Sequence, residues 1–273
     1  MILITGATGF LGKELLKRNK FVDVRVVSRN EGKLIELKQQ FPNIEIMTGD
    51  IADPYVCQRA LQDIDQIFHL AAFKHVGLAE DQPYECIQSN VIGTMNLLYQ
   101  FTGNLFVAIS TDKAAQVNGV YGATKLLMER LIKEKERISF PYTHYRVVRY
   151  GNVLYSTGSV LCKWKEAFQR GQPIKVTDFN ATRFFWTVDQ AVDLIFESIT
   201  HAKDSTPYCP TMKAMRVGDL MLACWKKYNN GTQLIAQEIG LQPGENLHEK
   251  VLEQGPYSNE VERYSIEQIM ELI

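Results

Sequence analysis

The sequence predicts an α/β fold, a doubly wound parallel sheet covered by helices, followed by a smaller, discontinuous C-terminal lobe. Three observations carry that expectation. Short apolar strands alternate with helical segments from residue 1 to about 150, the pattern of a parallel sheet with crossover helices. The first strand runs directly into a glycine-spaced turn and a helix, Gly6-Ala-Thr-Gly9-Phe-Leu-Gly12. Past Asn152 the regular alternation stops, and 273 residues suffice for a full core with a second small lobe. The expected sheet domain is 1–152, rejoined by about 186–202, and the expected lobe is 153–185 with 203–273.

Taken in order, residues 1–5 form a short buried strand. Glycines 6, 9 and 12 then permit a tight turn, close approach of backbone to a pyrophosphate, and close packing of helix on strand. The helix expected over about 9–20 points its first amides at the phosphates. In this strand–turn–helix context the spacing reads as a dinucleotide fingerprint, which makes the sheet domain a Rossmann domain. Gly6, Thr8, Gly9, Phe10, Leu11 and Gly12 are its candidate contacts. The second strand, from Val24, ends in Ser28-Arg29-Asn30, with Lys33 three residues on. An acidic residue at that strand end suits NAD, whereas cations and donors suit a 2′-phosphate, so NADP is favoured over NAD. A strand over 44–47 leads to Gly49-Asp50-Ile51, where Asp50 can accept from an adenine amino group. Another buried strand begins at Ile67 and ends in the small residues Ala71 and Ala72, where backbone must approach the cofactor. Lys74 and His75 follow, at the strand's carboxyl end where α/β proteins bind ligands. No catalytic role is assigned to His75.

Tyr121-Gly-Ala-Thr-Lys125 places a phenol and an ammonium on one helix face. A lysine beside tyrosine favours the phenolate, a base for a substrate hydroxyl. Ten residues upstream of that run, Thr111-Asp112-Lys113 adds an acid and a second base that plain alcohol oxidation does not need. The pattern predicts that a further acid–base step follows the oxidation. Later elements are a helix over about 160–170, a strand over 174–177, a helix over 188–200 that returns to the sheet domain, and a turn at Asn229-Asn-Gly231. The segment 259–273 is expected to form a short helix with Ile266, Ile269, Met270 and Ile273 on one face.

With Gly6-x-x-Gly9-x-x-Gly12, Tyr121-x-x-x-Lys125 and Asn90-Val-x-Gly93 in place, the chain resembles the extended short-chain dehydrogenase/reductases. More closely it is similar to the soluble UDP-N-acetylglucosamine 4,6-dehydratases that invert carbon 5. The motifs carrying this are Ala71-Ala-Phe-Lys74-His-Val, Ser110-Thr-Asp-Lys-Ala-Ala115, Arg149-Tyr-Gly-Asn152-Val, Gly158-Ser-Val160, Thr182-Arg-Phe184 and Pro243-Gly-Glu245-x-Leu-His-Glu249. Thr-Asp-Lys discriminates, because retaining hexose dehydratases of this kind usually carry Thr-Asp-Glu and 4-epimerases lack the pair. One departure stands at Gln242 and Asn246, where the related motif has arginine and lysine.

The resemblance implies catalytic roles for Thr111, Asp112, Lys113, Tyr121 and Lys125. Tyr121 takes the 4-hydroxyl proton, Lys125 holds the tyrosine basic and bonds the nicotinamide ribose, and Thr111 donates to the 4-keto oxygen. Lys113 then removes the carbon-5 hydrogen, while Asp112, which must carry its proton at that moment, protonates the departing 6-hydroxyl. Lys113 can act so only if Lys74, Lys125 and desolvation lower its pKa. Asn90, Tyr121 and Lys125 join the cofactor contacts, and Lys74 serves cofactor and substrate. Asn152, Ser159, Val160, Arg183 and Glu245, with Thr111, are the implied substrate contacts; the amides of the 156–160 loop, ahead of a helix, form an anion site. UDP-N-acetylglucosamine is the implied substrate, and a homo-oligomer the implied assembly.

A formal net charge of −1 argues against a general nucleic-acid partner. No apolar run reaches the roughly 20 residues of a membrane span, and the chain enters its first strand at once, so neither a membrane segment nor a signal peptide is expected. Five scattered cysteines without a Cys-x-x-Cys pair suit a reducing cytoplasm, with no metal site.

Overall fold

The computed structural model describes residues 1–18 and 23–273. The first half alternates as expected. β1 (Ile2–Thr5), α1 (Phe10–Arg18), β2 (Val24–Ser28), α2 (Glu31–Gln40), β3 (Glu45–Thr48), α3 (Pro54–Ala60) and β4 (Gln66–His69) come first. α4 (Val76–Asp81), α5 (Pro83–Ile87), α6 (Gly93–Gln100), β5 (Leu105–Thr111), α7 (Val120–Ser139) and β6 (His144–Tyr150) complete it. The end expected for the first helix, Lys20, lies outside the described residues. Ala71 and Ala72 fall beyond β4 rather than inside it, in the loop that follows.

All six strands pair in parallel in the order β3-β2-β1-β4-β5-β6. The order reverses between β1 and β4, and ligands of open α/β sheets bind outside the carboxyl ends of strands at such a switch point. Strand side chains alternate between two faces. Ile2 and Ile4 of β1 pack with Leu15 and Leu16 of α1, whereas Leu3 packs with Leu97, Leu98 and Met128 on the other face.

The second half is β7 (Asn152–Val153), α8 (Val160–Gln169), β8 (Ile174–Val176), β9 (Thr182–Trp186), α9 (Val188–His201), β10 (Ala214–Arg216), α10 (Val217–Tyr228), β11 (Ala236–Glu238) and α11 (Ile266–Leu272). Thr187 and Gln190 form a capping box that starts α9. Its apolar face, Ala191, Val192, Leu194 and Ile195, joins the core of β1 and α1. Tyr208 also returns to the main sheet, bridging Val148 beside β6. A separate core gathers Leu161, Trp164, Phe168, Phe185, Leu220, Ile269 and Ile273. The terminal helix is shorter than expected because Ser265 and Gln268 cap it late.

Candidate active site

β5 ends at Thr111, and the chain turns through a short 3-10 segment, Asp112–Ala114. The Thr111 hydroxyl donates to Asp112 Oδ1 at 2.9 Å and hydrogen-bonds the Tyr121 phenol. Lys113 Nζ donates to the same Asp112 oxygen at 3.1 Å. Asp112 is fully buried, and its second oxygen, Oδ2, has no partner among the described residues. Two features seat α7 on this turn. Glu80 Oε1 accepts from Val120 N at 2.7 Å, holding the helix start. Gly122 lies so close that a Cβ there would stand 2.4 Å from the Lys113 carbonyl oxygen. Thr111, Asp112, Lys113 and Tyr121 are therefore brought together by β5, the turn and the start of α7, while Lys125 lies one turn further along that helix.

The electrostatics differ from expectation at two lysines. Burial pulls Lys113 down, but Asp112 and Glu249, the latter 3.7 Å from Nζ, outweigh it and hold the ammonium above the ordinary lysine value. The expected lowering by Lys74 and Lys125 is overturned, because the charges facing Lys113 most closely are carboxylates. Burial lowers Lys125 to about 8 against the pull of Glu129 and Cys86. Its Nζ donates to Met128 Sδ at 3.1 Å rather than to Tyr121. Burial raises Tyr121 to about 12, and Lys113 is the largest influence opposing that rise, followed by the Thr111 hydrogen bond. Lys113 thus does more of the phenolate-favouring work than the lysine of the helical pair.

On the dinucleotide side, Gly6 has φ +74°, and a Cβ would stand 2.6 Å from Ala71 N. A Cβ on Gly12 would meet Ala7 Cα at 2.4 Å, so helix and turn touch there. Gly9 is exposed and a Cβ would approach only the Gly6 carbonyl, at 3.1 Å. That leaves an open face at the amino end of α1, with Thr8, Phe10 and Leu11 around it. Thr8 Oγ1 lies 3.4 Å from Ser28 Oγ. Arg29 is 64% exposed and reaches Asp50 Oδ2 at 3.6 Å, while Asp50 Oδ1 accepts from Ala52 N. Arg29 also borders an open cleft of about 700 Å³ with Phe73, Gln82 and Tyr84.

Three expected contacts are placed otherwise. The Asn30 side chain caps α2 by accepting from Lys33 N at 2.9 Å, while Lys33 itself is exposed. Ile51 is in the core, so any ligand contact falls to its backbone. Asn90 is buried; its Oδ1 accepts from Phe73 N, and its Nδ2 donates to Phe73 O and Thr124 Oγ1. Its polar atoms are engaged inside the protein, where they tie Phe73 of the loop after β4 to Thr124 of α7. Ala71 N donates to Thr5 Oγ1, and Ala72 is exposed.

On the substrate side, Lys74 Nζ donates to Thr157 O at 3.0 Å, and burial lowers its pKa. This contact closes the 156–159 loop onto the loop after β4. Ser159 caps α8 without a side-chain bond to the helix amides, Val160 begins the helix, and Asn152 Nδ2 reaches Phe184 O at 3.5 Å. Arg183 does not lie on a rim. It is 8% exposed, Nη1 donates to the carbonyls of Thr182 and Leu247, and Nε lies 3.8 Å from Glu249 Oε1. Glu245 is likewise engaged, its Oε2 accepting from Gln242 N and its carbonyl from Asn118 Nδ2. This turn needs Gly244 at φ +80°, where a Cβ would stand 2.9 Å from Val76 Cγ1. Asn246 Nδ2 donates to Gln116 O and to Glu249 Oε2, both at 3.4 Å.

Sequence reasoning missed Glu249, buried beside Lys113, although it ends the run beginning at Pro243. It also missed Gly122, which sits inside the Tyr121–Lys125 spacing and whose lack of a side chain was the available signal. Behind the turn, Glu129 of α7 accepts from Ser110 and from Arg149 of β6, whose other bonds go to Glu253 and Val251 O. No local signal in the sequence marked that long-range cluster.

The family described as polysaccharide biosynthesis protein matches residues 2–272. An inverting UDP-N-acetylglucosamine 4,6-dehydratase of Campylobacter jejuni is 33% identical over 259 residues, covering 91% of this chain and 76% of the relative. A Methanocaldococcus jannaschii chain described as an uncharacterized membrane protein is 37% identical over 290 residues, 99% of this chain and 84% of that relative. Among the described residues here, no helix is long and apolar enough to cross a membrane. Of solved structures, Pen from Bacillus thuringiensis superposes with a TM-score of 0.92 at 30% identity, covering 99% of this chain and 95% of that one. With a match across nearly its whole length, the chain belongs to the polysaccharide biosynthesis protein family.

Proposed function

We propose that the chain is a UDP-N-acetylglucosamine 4,6-dehydratase that inverts carbon 5. The observation that carries this reading is the buried Thr111-Asp112-Lys113 turn seated against Tyr121, with an acid and a base held 3.1 Å apart. Family membership and the dehydratase relative support the same chemistry. The exposed Gly9 at the amino end of α1 and the exposed Arg29 after β2 suit a nicotinamide dinucleotide. We favour NADP over NAD because Arg29 is free to leave Asp50 for a 2′-phosphate. When bound, the cofactor accepts hydride from carbon 4 and returns it to carbon 6.

The chain's own residues handle the protons. Tyr121 Oη takes the 4-hydroxyl proton, and Thr111 donates to the oxygen left at carbon 4. Lys113 and Asp112 share one proton across their 3.1 Å contact. Moving it from Nζ to Oδ1 yields a neutral amine and a carboxylic acid together, the two states the elimination requires. Lys113 then removes the carbon-5 hydrogen and Asp112 protonates the departing 6-hydroxyl, which restores the ion pair. Carbon 5 takes a solvent proton on the face opposite Lys113, giving the inverted product, and Tyr121 returns the 4-hydroxyl proton to solvent, which closes the proton balance. Lys125 bonds the nicotinamide ribose; Lys74, Asn152, Ser159 and the amide of Val160 line the nucleotide-sugar side. Exposed Tyr99 and Leu127 on α6 and α7 support a homo-oligomer, and five free cysteines suit the cytoplasm.

Proton NMR of the purified protein with UDP-N-acetylglucosamine, without added reductant, tests this. The expected result is a new carbon-6 methyl doublet with ring couplings of an L-arabino 4-keto sugar. D-xylo couplings would keep the dehydratase and remove the inversion; no methyl signal would remove the substrate. Lys113→Ala should abolish the methyl signal while leaving cofactor affinity within about twofold, and near-normal turnover would refute its role as the carbon-5 base.

A further inference from the structure

A carboxylate with no place in the mechanism above faces its base. Glu249 is buried, and it arrives from a segment far from the catalytic turn in sequence. The tight turn 242–245 docks beside Gly119, where a Cβ would stand 2.9 Å from Gly244 Cα, and Asn118 bonds Glu245 O. From there the chain carries Glu249 to 3.7 Å from Lys113 Nζ. Its place is fixed: Glu249 N donates to Ser258 Oγ at 2.9 Å and Asn246 donates to Oε2. Oε1, the oxygen nearest Lys113, accepts no hydrogen bond from any described residue. A buried, unpaired carboxylate oxygen is costly unless a cation answers it. Here two cations do, Lys113 at 3.7 Å and Arg183 Nε at 3.8 Å.

We propose that Glu249 is a positioning residue of the acid–base pair, which holds the Lys113 ammonium from the C-terminal side and delays its conversion to the free amine. This rests on the proposed role of Lys113 as the carbon-5 base. The groups facing Lys113 are Asp112 from its own turn, Arg183 from β9, Tyr121 from α7 and Glu249 from the C-terminal segment. Cys209 stands near Asp112 from the stretch between α9 and β10. Burial and Asp112 push the Glu249 carboxyl up while Lys113 and Arg183 hold it down; in its charged form Glu249, with Asp112, favours the ammonium, and Arg183 opposes it. Removing Glu249 leaves Arg183 unopposed on that side, so the amine should form at lower pH. Loss of this buried carboxylate should therefore bring forward the loss of the proton that Lys113 and Asp112 share, so that activity falls off at lower pH on the alkaline side.

The test compares wild type with Glu249→Gln, which keeps the shape and removes the charge. The alkaline limb of kcat/KM against pH, where the Lys113–Asp112 pair loses its shared proton, should move to lower pH by about one to three units, the range for a charge at this distance. In parallel, protein labelled with 13C at lysine Cε is titrated by NMR, with the Lys113 resonance assigned by its loss in Lys113→Arg. Its midpoint should fall in Glu249→Gln. An unmoved midpoint or limb overturns the inference. If the resonance moves but no dehydration occurs in wild type, the Glu249–Lys113 coupling stands and the functional reading fails. Should Glu249→Gln not fold, Glu249→Asp, which withdraws the charge by one methylene, should move the midpoint in the same direction by less; no movement there overturns it equally.

Discussion

Lys125 shows how burial alone retunes a side chain. It is 2% exposed, its only hydrogen bond among the described residues reaches a thioether sulfur, and burial lowers it from 10.5 to about 8. Below about pH 8 the folded protein must bury an ammonium that the unfolded chain keeps in water. Between about 8 and 10.5 the unfolded chain binds the extra proton, so stability rises with pH in that window. Lys125→Met should therefore gain stability, on the order of 3 kcal/mol below pH 8, and the gain should shrink toward pH 10.5. Urea unfolding of both proteins at pH 7 and pH 10 checks this; an equal difference at both would refute it. At the other end of the sheet, Arg29→Ala should weaken NADP at least tenfold more than NAD, read by calorimetry. An equal loss for both cofactors would remove the 2′-phosphate reading. These residue types and spacings were legible in the chain. Their charge states were not, because Glu249 and Arg183, which face Lys113, come from remote segments.

The strand–turn–helix unit separates two duties that the glycine spacing combines. Gly12 sits against Ala7, where a Cβ would stand 2.4 Å from Cα, so Gly12→Ala must force helix and turn apart. We expect a loss of about 2 kcal/mol or more, with a lowered thermal midpoint. Gly9 has an open face, so Gly9→Ala should change stability by less than about 1 kcal/mol while weakening dinucleotide binding at least tenfold. Comparable stability losses in both variants would contradict that division. α7 follows the same logic, since Gly122 lets the helix touch the 112–114 turn and Glu80 fixes its start. The periodicity predicted the helix and its Tyr121–Lys125 face. It could not predict that Glu80 of α4 supplies the missing cap, because that contact spans 40 residues.

Across the whole molecule, the C-terminal stretch is what completes the site. The 242–258 segment lays Gly244 against α4, Glu249 against Lys113, and Val251 and Glu253 against Arg149 of β6. Arg149 is fully buried and also pairs with Glu129, so the main sheet, α7 and the C-terminal segment share one ionic cluster. Breaking a buried pair costs more than such a pair contributes, which ties the placement of Glu249 to the packing of the sheet. Sequence alone determined the alternation of strands and helices, the glycine turn, and the Thr111-Asp112-Lys113 and Tyr121-x-x-x-Lys125 spacings of β5 and α7. Those signals are local: a period, a spacing, or a residue type that backbone geometry demands. Only the tertiary structure decided which carboxylate faces Lys113, why Arg183 and Asn90 are spent inside the protein, and why Lys113 rather than Lys125 most favours the Tyr121 phenolate. Charge states depend on distance and desolvation, and both are set by segments that meet only once the chain has folded.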